Sequence, residues 1–181
     1  MARVLGLLFV LLFALAACET TTLRLGPDGK PLPQVYRIGN AGKVQLRMLD
    51  AVNALRQAGG VGQVQLNSAL TAAAATHSRD MSVQNRPWHF GSDGSSPLDR
   101  IQRAGFRGQL VGENISETYE SEIETLAAWM QQPDTRETIM DPKVATMGFS
   151  WFQDPNGKIW WTMVTGTTET LSAPESPAVQ G

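Results

Sequence analysis

The chain has 181 residues, 17 of them acidic and 15 basic, for a formal net charge of −2. That length predicts one domain with tails, and the balanced charge argues against a nucleic-acid binder, which would carry a basic face. Apolar residues make up 42% of the chain, enough for a hydrophobic core at this size.

The chain starts "MARVLGLLFVLLFALAAC", with Arg3 ahead of an apolar run over 4–17. The run fits the apolar part of an export signal and is short for a membrane span. It ends in "LAAC", which resembles a bacterial lipobox, where the cysteine is lipidated and becomes the first mature residue. Cys18 is the single cysteine and stands where the run stops. Lipidation would remove a free thiol that is a liability outside the cytoplasm, and more than one acyl chain would make the anchor stable. With no disulfide available, the fold must rest on its core. Glu19 follows. Lipoproteins kept in the inner membrane of many Gram-negative bacteria resemble one another in having Asp there, so Glu19 points to the outer membrane.

The expected organisation is a signal over 1–17, a tether over 18–41, a domain over 42–167 and a disordered tail over 168–181. The tether contains "TTTLRLGPDGKPLPQ", rich in Thr, Gly and Pro and without a sustained period. A first helix is predicted over 42–58, with Val44, Met48, Val52 and Leu55 on one side and Gly59–Gly60 as the stop. Asn67 caps a second helix, alanine-rich, whose buried side carries Leu70, Ala74, His77 and Met81. The stretch "GSDGSS" is a turn by its composition. Ser96, Pro97 and Asp99 then form a capping box for a short helix with Leu98, Ile101 and Ala104 inward and Gly105 at its end. The stretch "LVGENISETY" reads as a strand edge or extended loop. Ser121 and Glu124 open another helix with Ile123, Leu126, Ala127 and Met130 as its stripe. Pro133 stops it, and Asp134 and Glu137 indicate one more short helical turn. A hairpin closes the pattern, with "QDPNG" between two strands. Its second strand is apolar on both faces, the mark of a central strand covered on both sides. The fold class is therefore α+β, a sandwich with helices on both faces of a small antiparallel sheet. The tryptophans Trp129, Trp151, Trp160 and Trp161 read as core, whereas Trp88 sits in a loop where it could wall a cleft.

In this order, "AAATHSRDM", "WHFGSDGSSPLDRIQRAGF", "GENIS", "LAAWMQQPDTRETIM", "MGFSW" and "IWWTMVTG" resemble the bacterial CAP (SCP/PR-1-like) domain over about residues 43–166. The resemblance implies an α-β-α sandwich. Many members resemble one another in a cleft of two His and two acidic residues able to hold a divalent metal. His89 and Glu113 match the first His and the first Glu. Gln132 and Thr135 fall at the other two positions and are poor ligands. His77, the other histidine, falls on a helix outside that set.

A catalytic zinc site needs about three protein ligands. Here a third would have to come from Asp134 or elsewhere, so a metal-assisted hydrolase using His89 and Glu113 is the second reading. The plainer one has His89 and Glu113 hydrogen-bonding each other and bracing the cleft, with no cofactor. No nucleophile elbow is present; Ser96 is explained as a cap, and an enzyme is not indicated. His77 reads as a core histidine satisfied by one hydrogen bond. Arg100 reads as an ion-pair partner, with Asp80 as the guess. The expected function is thus a lipid-anchored envelope protein whose CAP domain binds a lipid-like or cell-wall ligand in a cleft of His89, Glu113, Trp88, Gln132 and Thr135. A ligand-free adaptor for a protein partner is the third reading. The expected partners are the membrane, through Cys18, and that ligand; no nucleic acid is expected.

Overall fold

The computed structural model describes residues 36–168. The signal segment, Cys18, most of the tether and the tail from 169 lie outside the described residues. Five helices and four strands follow in the order α1 (Ala41–Ala58), β1 (Gln65–Leu66), α2 (Ser68–Gln84), α3 (Pro97–Arg103), β2 (Leu110–Thr118), α4 (Glu122–Gln131), α5 (Pro133–Met140), β3 (Thr146–Gln153) and β4 (Ile159–Gly166). Among the described residues, no helix is long and apolar enough to cross a membrane.

The predicted caps are present. Asn67 accepts from the Leu70 amide, and both Ser96–Asp99 and Ser121–Glu124 form reciprocal capping boxes. Each satisfies amides that a helix start leaves without partners. Gln132 caps α5, whose first residue is Pro133, so the proline that ends α4 also begins the next helix. α5 is longer than the single turn expected.

The sheet runs β1-β3-β4-β2. β3 and β4 form the hairpin, with Gln153 opposite Ile159 and the turn closed by the Asp154 amide on the Lys158 carbonyl. β2 pairs antiparallel along the other side of β4. The sheet is mixed, not purely antiparallel as expected, because β1 runs parallel to β3 over two residues. So short a strand leaves no periodic signal, and only the return of the chain from α1 brings it to the edge. All eight residues of β4 are buried.

The layers divide the side chains of β4 by parity. Ile159, Trp161 and Met163 join Val44 and Met48 of α1 and Trp129 of α4 in the larger core. Val164 packs on the other face with Leu70, Ala73 and Ala74 of α2 and Ile101 of α3. Each fully buried large apolar side chain contributes about 1.5–3 kcal/mol. α2 lies so close to the sheet that a Cβ on Gly148 would overlap the backbone of Leu70 and Thr71. Arg56, fully buried near the end of α1, donates to the carbonyls of Gly62, Ile139, Asp141 and Val144 and so ties α1 to the loop that follows it and to the chain from the end of α5 to β3.

Four expected core positions differ. Leu98 and Ile123 are exposed, Ala127 is exposed, and Trp151 is half-buried against the larger core. The buried side of α4 is instead Glu122, Thr125, Leu126 and Trp129. Glu122 can go under because Arg47 donates to its Oε1 at 2.7 Å and Tyr36 to its Oε2 at 2.9 Å. Tyr36 and Ile38 pack on the larger core, so the domain starts before residue 42, inside the segment expected to be tether.

Candidate functional site

The site is built on one face of a helix. His77, Asp80 and Gln84 follow one another along α2 at spacings of three and four, which places them on the same side. That side faces the segment 88–95, which belongs to neither helix nor strand. Such a segment must find partners for its backbone elsewhere. Three successive carbonyls are each taken by a different side chain. His77 Nε2 donates to Trp88 O at 2.9 Å, Arg100 Nη1 to His89 O at 3.0 Å, and Gln84 Nε2 to Phe90 O at 3.2 Å. Asp80 then accepts from the Ser92 amide at 2.7 Å and from its hydroxyl at 2.6 Å. Burial works to raise the Asp80 carboxyl, but the Ser92 and Gln84 hydrogen bonds outweigh it and hold it below the usual range. A Cβ on Gly91 would lie 2.6 Å from both Asp93 Oδ1 and Ser95 Oγ, so a side chain there would push these two aside.

The motif "GEN" divides across the sheet by strand alternation. Gly112 packs under the Thr138 side chain of α5, where a Cβ would meet it at 2.8 Å. Asn114 faces the same way and donates to the Thr135 carbonyl at 2.8 Å. Glu113 points to the opposite face, its side chain only 2% exposed. Its Oε2 accepts from Arg100 Nη2 at 2.7 Å, and its Oε1 lies 2.9 Å from His89 Nδ1 and 3.7 Å from His77 Nε2.

These contacts settle both tautomers. A carboxylate only accepts, so His89 carries its proton on Nδ1. Its neutral form then presents a bare lone pair at Nε2, on a side chain 51% exposed, with no partner among the described residues. A carbonyl likewise only accepts, so His77 carries its proton on Nε2. Its Nδ1 is buried without a partner. Burial, more than the opposing pull of Glu113, pushes the His77 pKa down. His77 is therefore the neutral core histidine expected from its apolar face, with one hydrogen bond.

His89 and Glu113 lie 2.9 Å apart, while the Trp88 ring meets Gln84, Phe90 and Arg86. Arg100 pairs with Glu113 and not with Asp80. Asp80 is already satisfied by Ser92 and Gln84, and sequence spacing does not show that β2 passes beside α3. Thr135 turns its hydroxyl to the Trp129 carbonyl at 2.6 Å. Gln132 is exposed and makes no side-chain cap bond. Sequence reasoning missed Arg100, Gln84 and Asp80 as the frame of the segment. The i, i+4 spacing of Asp80, Gln84 and Trp88 was the available signal. Trp88 Nε1 donates to Gln84 Oε1 at 2.8 Å, and its ring lies 5.5 Å from that of Phe90 and 3.8 Å beneath the Arg86 guanidinium.

A divalent metal of the kind the family resemblance implies does not fit these residues. Both oxygens of Glu113 are engaged, and the other two positions hold a threonine turned inward and a glutamine. Asp134, the candidate third ligand, is exposed in the first turn of α5. Among the described residues, no group of three His, Cys, Asp or Glu side chains is arranged to hold a metal ion. Among the described residues, the serines near His89 in sequence are each engaged with a carboxylate: Ser92 with Asp80, Ser95 with Asp93 and Ser96 with Asp99. A cavity of about 440 Å³ lies between α2 and α3, lined by His77, Asp80, Ser92, Arg100 and Arg103 over an alanine floor. It borders the frame of the site, and His89 does not line it.

The family model described as CAP, cysteine-rich secretory protein family, matches residues 49–165. The chain belongs to the CAP family. It is 28% identical over 120 residues to the uncharacterized protein YkwD of Bacillus subtilis, covering 66% of this chain and 46% of that protein. The chain thus spans about half the length of this curated relative. Among solved structures, an outer surface protein of Borrelia burgdorferi matches with a TM-score of 0.66 at 13% identity, over 75% of this chain and 100% of the other. An extracellular SCP-domain protein of Bacillus anthracis matches with a TM-score of 0.63 at 18% identity, over 74% of this chain and 45% of the other. These likenesses place the α-β-α sandwich of this chain among CAP folds.

Proposed function

We propose that this CAP protein is exported, anchored to the cell envelope through a lipidated Cys18, and binds an envelope ligand at His89. The observation that carries the binding is the exposed His89 imidazole, oriented by a buried carboxylate that Arg100 also holds. Such a group is fixed before any ligand arrives, which lowers the cost of binding. Trp88 and the buried Glu113 complete the site; Gln132 and Thr135, expected in the same cleft, are left out of it, because Thr135 meets Asn114 on the sheet face opposite Glu113. Export is supported by the apolar run ending in "LAAC" and by neighbours described as outer-surface and extracellular proteins. Glu19 favours the outer membrane of a Gram-negative cell. The domain works without a cofactor and without nucleic acid, and its membrane contact runs through the anchor.

Two experiments test the two halves. Radiolabelled palmitate should enter the wild-type chain and not the Cys18→Ala variant, with the variant released from the membrane fraction. The soluble chain from residue 19 onward, which retains every described residue, should bind a solubilised envelope extract, and His89→Ala should lose that binding. Equal binding by His89→Ala in a folded domain would remove the site from the proposal.

A further inference from the structure

We infer that the ligand class of the His89 site is a sugar, the glycan part of an envelope polymer and not an acyl chain. The inference rests on the binding role proposed above and narrows it. Its first support is the geometry of the imidazole. With Nδ1 turned to Glu113, His89 leaves Nε2 on a half-exposed side chain, and that nitrogen calls for a polar partner such as a hydroxyl, which both donates and accepts. A hydrocarbon chain has none. The second support is the pair of rings on either side of it in the chain. Phe90 is 48% exposed, a large apolar face left in water, and stands 5.5 Å from Trp88 at a tilt of 56°. The C–H faces of a pyranose are apolar while its rim is all hydroxyls, so it satisfies a ring and a polar acceptor together. The third support is rigidity. Gln84 holds the Trp88 indole and the Phe90 carbonyl, and Arg100 holds the His89 carbonyl. The aromatic pair is therefore presented on a fixed backbone, although it lies in a loop.

The test is a titration of the soluble chain from residue 19 onward, observed by the indole signal of Trp88 and the ring signals of His89. The probes are the trisaccharide of N-acetylglucosamine and dihexanoyl phosphatidylglycerol below its micellar concentration. The trisaccharide should move both signals, and Phe90→Ala should weaken it about tenfold, the scale of one lost stacking contact. Trp88→Phe keeps a ring and should weaken it less. Phe90 is half exposed, so its variant should leave the signals of the buried tryptophans in place. If the lipid moves these signals and the trisaccharide does not, the sugar inference is overturned and the binding site stands. If the trisaccharide acts elsewhere on the domain, or neither probe acts, the inference is likewise overturned, and the envelope-extract titration alone then decides the broader proposal.

Discussion

Replacing Arg100 by methionine isolates what holds the candidate site. The guanidinium is 5% exposed and its partner Glu113 is 2% exposed. Removing it leaves a buried carboxylate with imidazoles as its remaining neighbours. It also strips the His89 carbonyl of its donor, whereas Ser95 O keeps the Gly91 amide. Breaking a buried pair by deleting one partner costs about 3–5 kcal/mol, mostly for the charge left behind. For a domain of this size each kcal/mol lowers the melting temperature by roughly 3–5 °C, so Arg100→Met should melt about 9–25 °C below wild type. Glu113→Gln alone leaves the arginine uncompensated and should also destabilise. The double variant Arg100→Met with Glu113→Gln removes both charges of the pair and should be less costly than the sum, by about 1–3 kcal/mol. Urea melts followed by circular dichroism give the four corners of this cycle. Additivity within about 0.5 kcal/mol would refute the claim that Arg100 and Glu113 act as one buried pair.

Three further outcomes are expected. Stability should fall as pH drops below about 6.5, because burial lowers the folded His77 pKa and the unfolded chain then binds the extra proton; above that pH His77 adds no such slope, and urea melts of His77→Gln should lack it throughout. Gly148→Ala should cost at least about 3 kcal/mol or abolish folding, since its methyl would overlap the α2 backbone; a melt within about 1 °C of wild type would contradict the close approach. Calorimetry with zinc on the soluble chain should show no tight binding, in wild type and His89→Ala alike, and a stoichiometric transition lost in His89→Ala and Glu113→Ala would reinstate a metal site.

Signals confined to a few consecutive residues were legible in the sequence. Asn67, the boxes at Ser96 and Ser121, and the Asp154–Gly157 turn each act over a short span, and the same chemistry appears in the fold. The two-sided apolar pattern of "IWWTMVTG" likewise marked the central strand, because burial on both faces leaves no polar alternation. The order of motifs pointed to the family, and its "GEN" placed Glu113 opposite His89. What tertiary structure decided were the pairings between distant residues. Helical spacing says which side of α2 His77 occupies but not that Glu113 of β2 lies 3.7 Å away. By spacing alone Glu122 is a first-turn charge that belongs in water. Arg47 and Tyr36, 75 and 86 residues earlier, allow it to be buried and turn the inward face of α4 away from Ile123. Arg100 was legible as a partner in search of an acid, and the strand that passes beside α3 supplied Glu113. A sequence carries the charge of each such group; the cost of burying it is set by what the fold brings within reach.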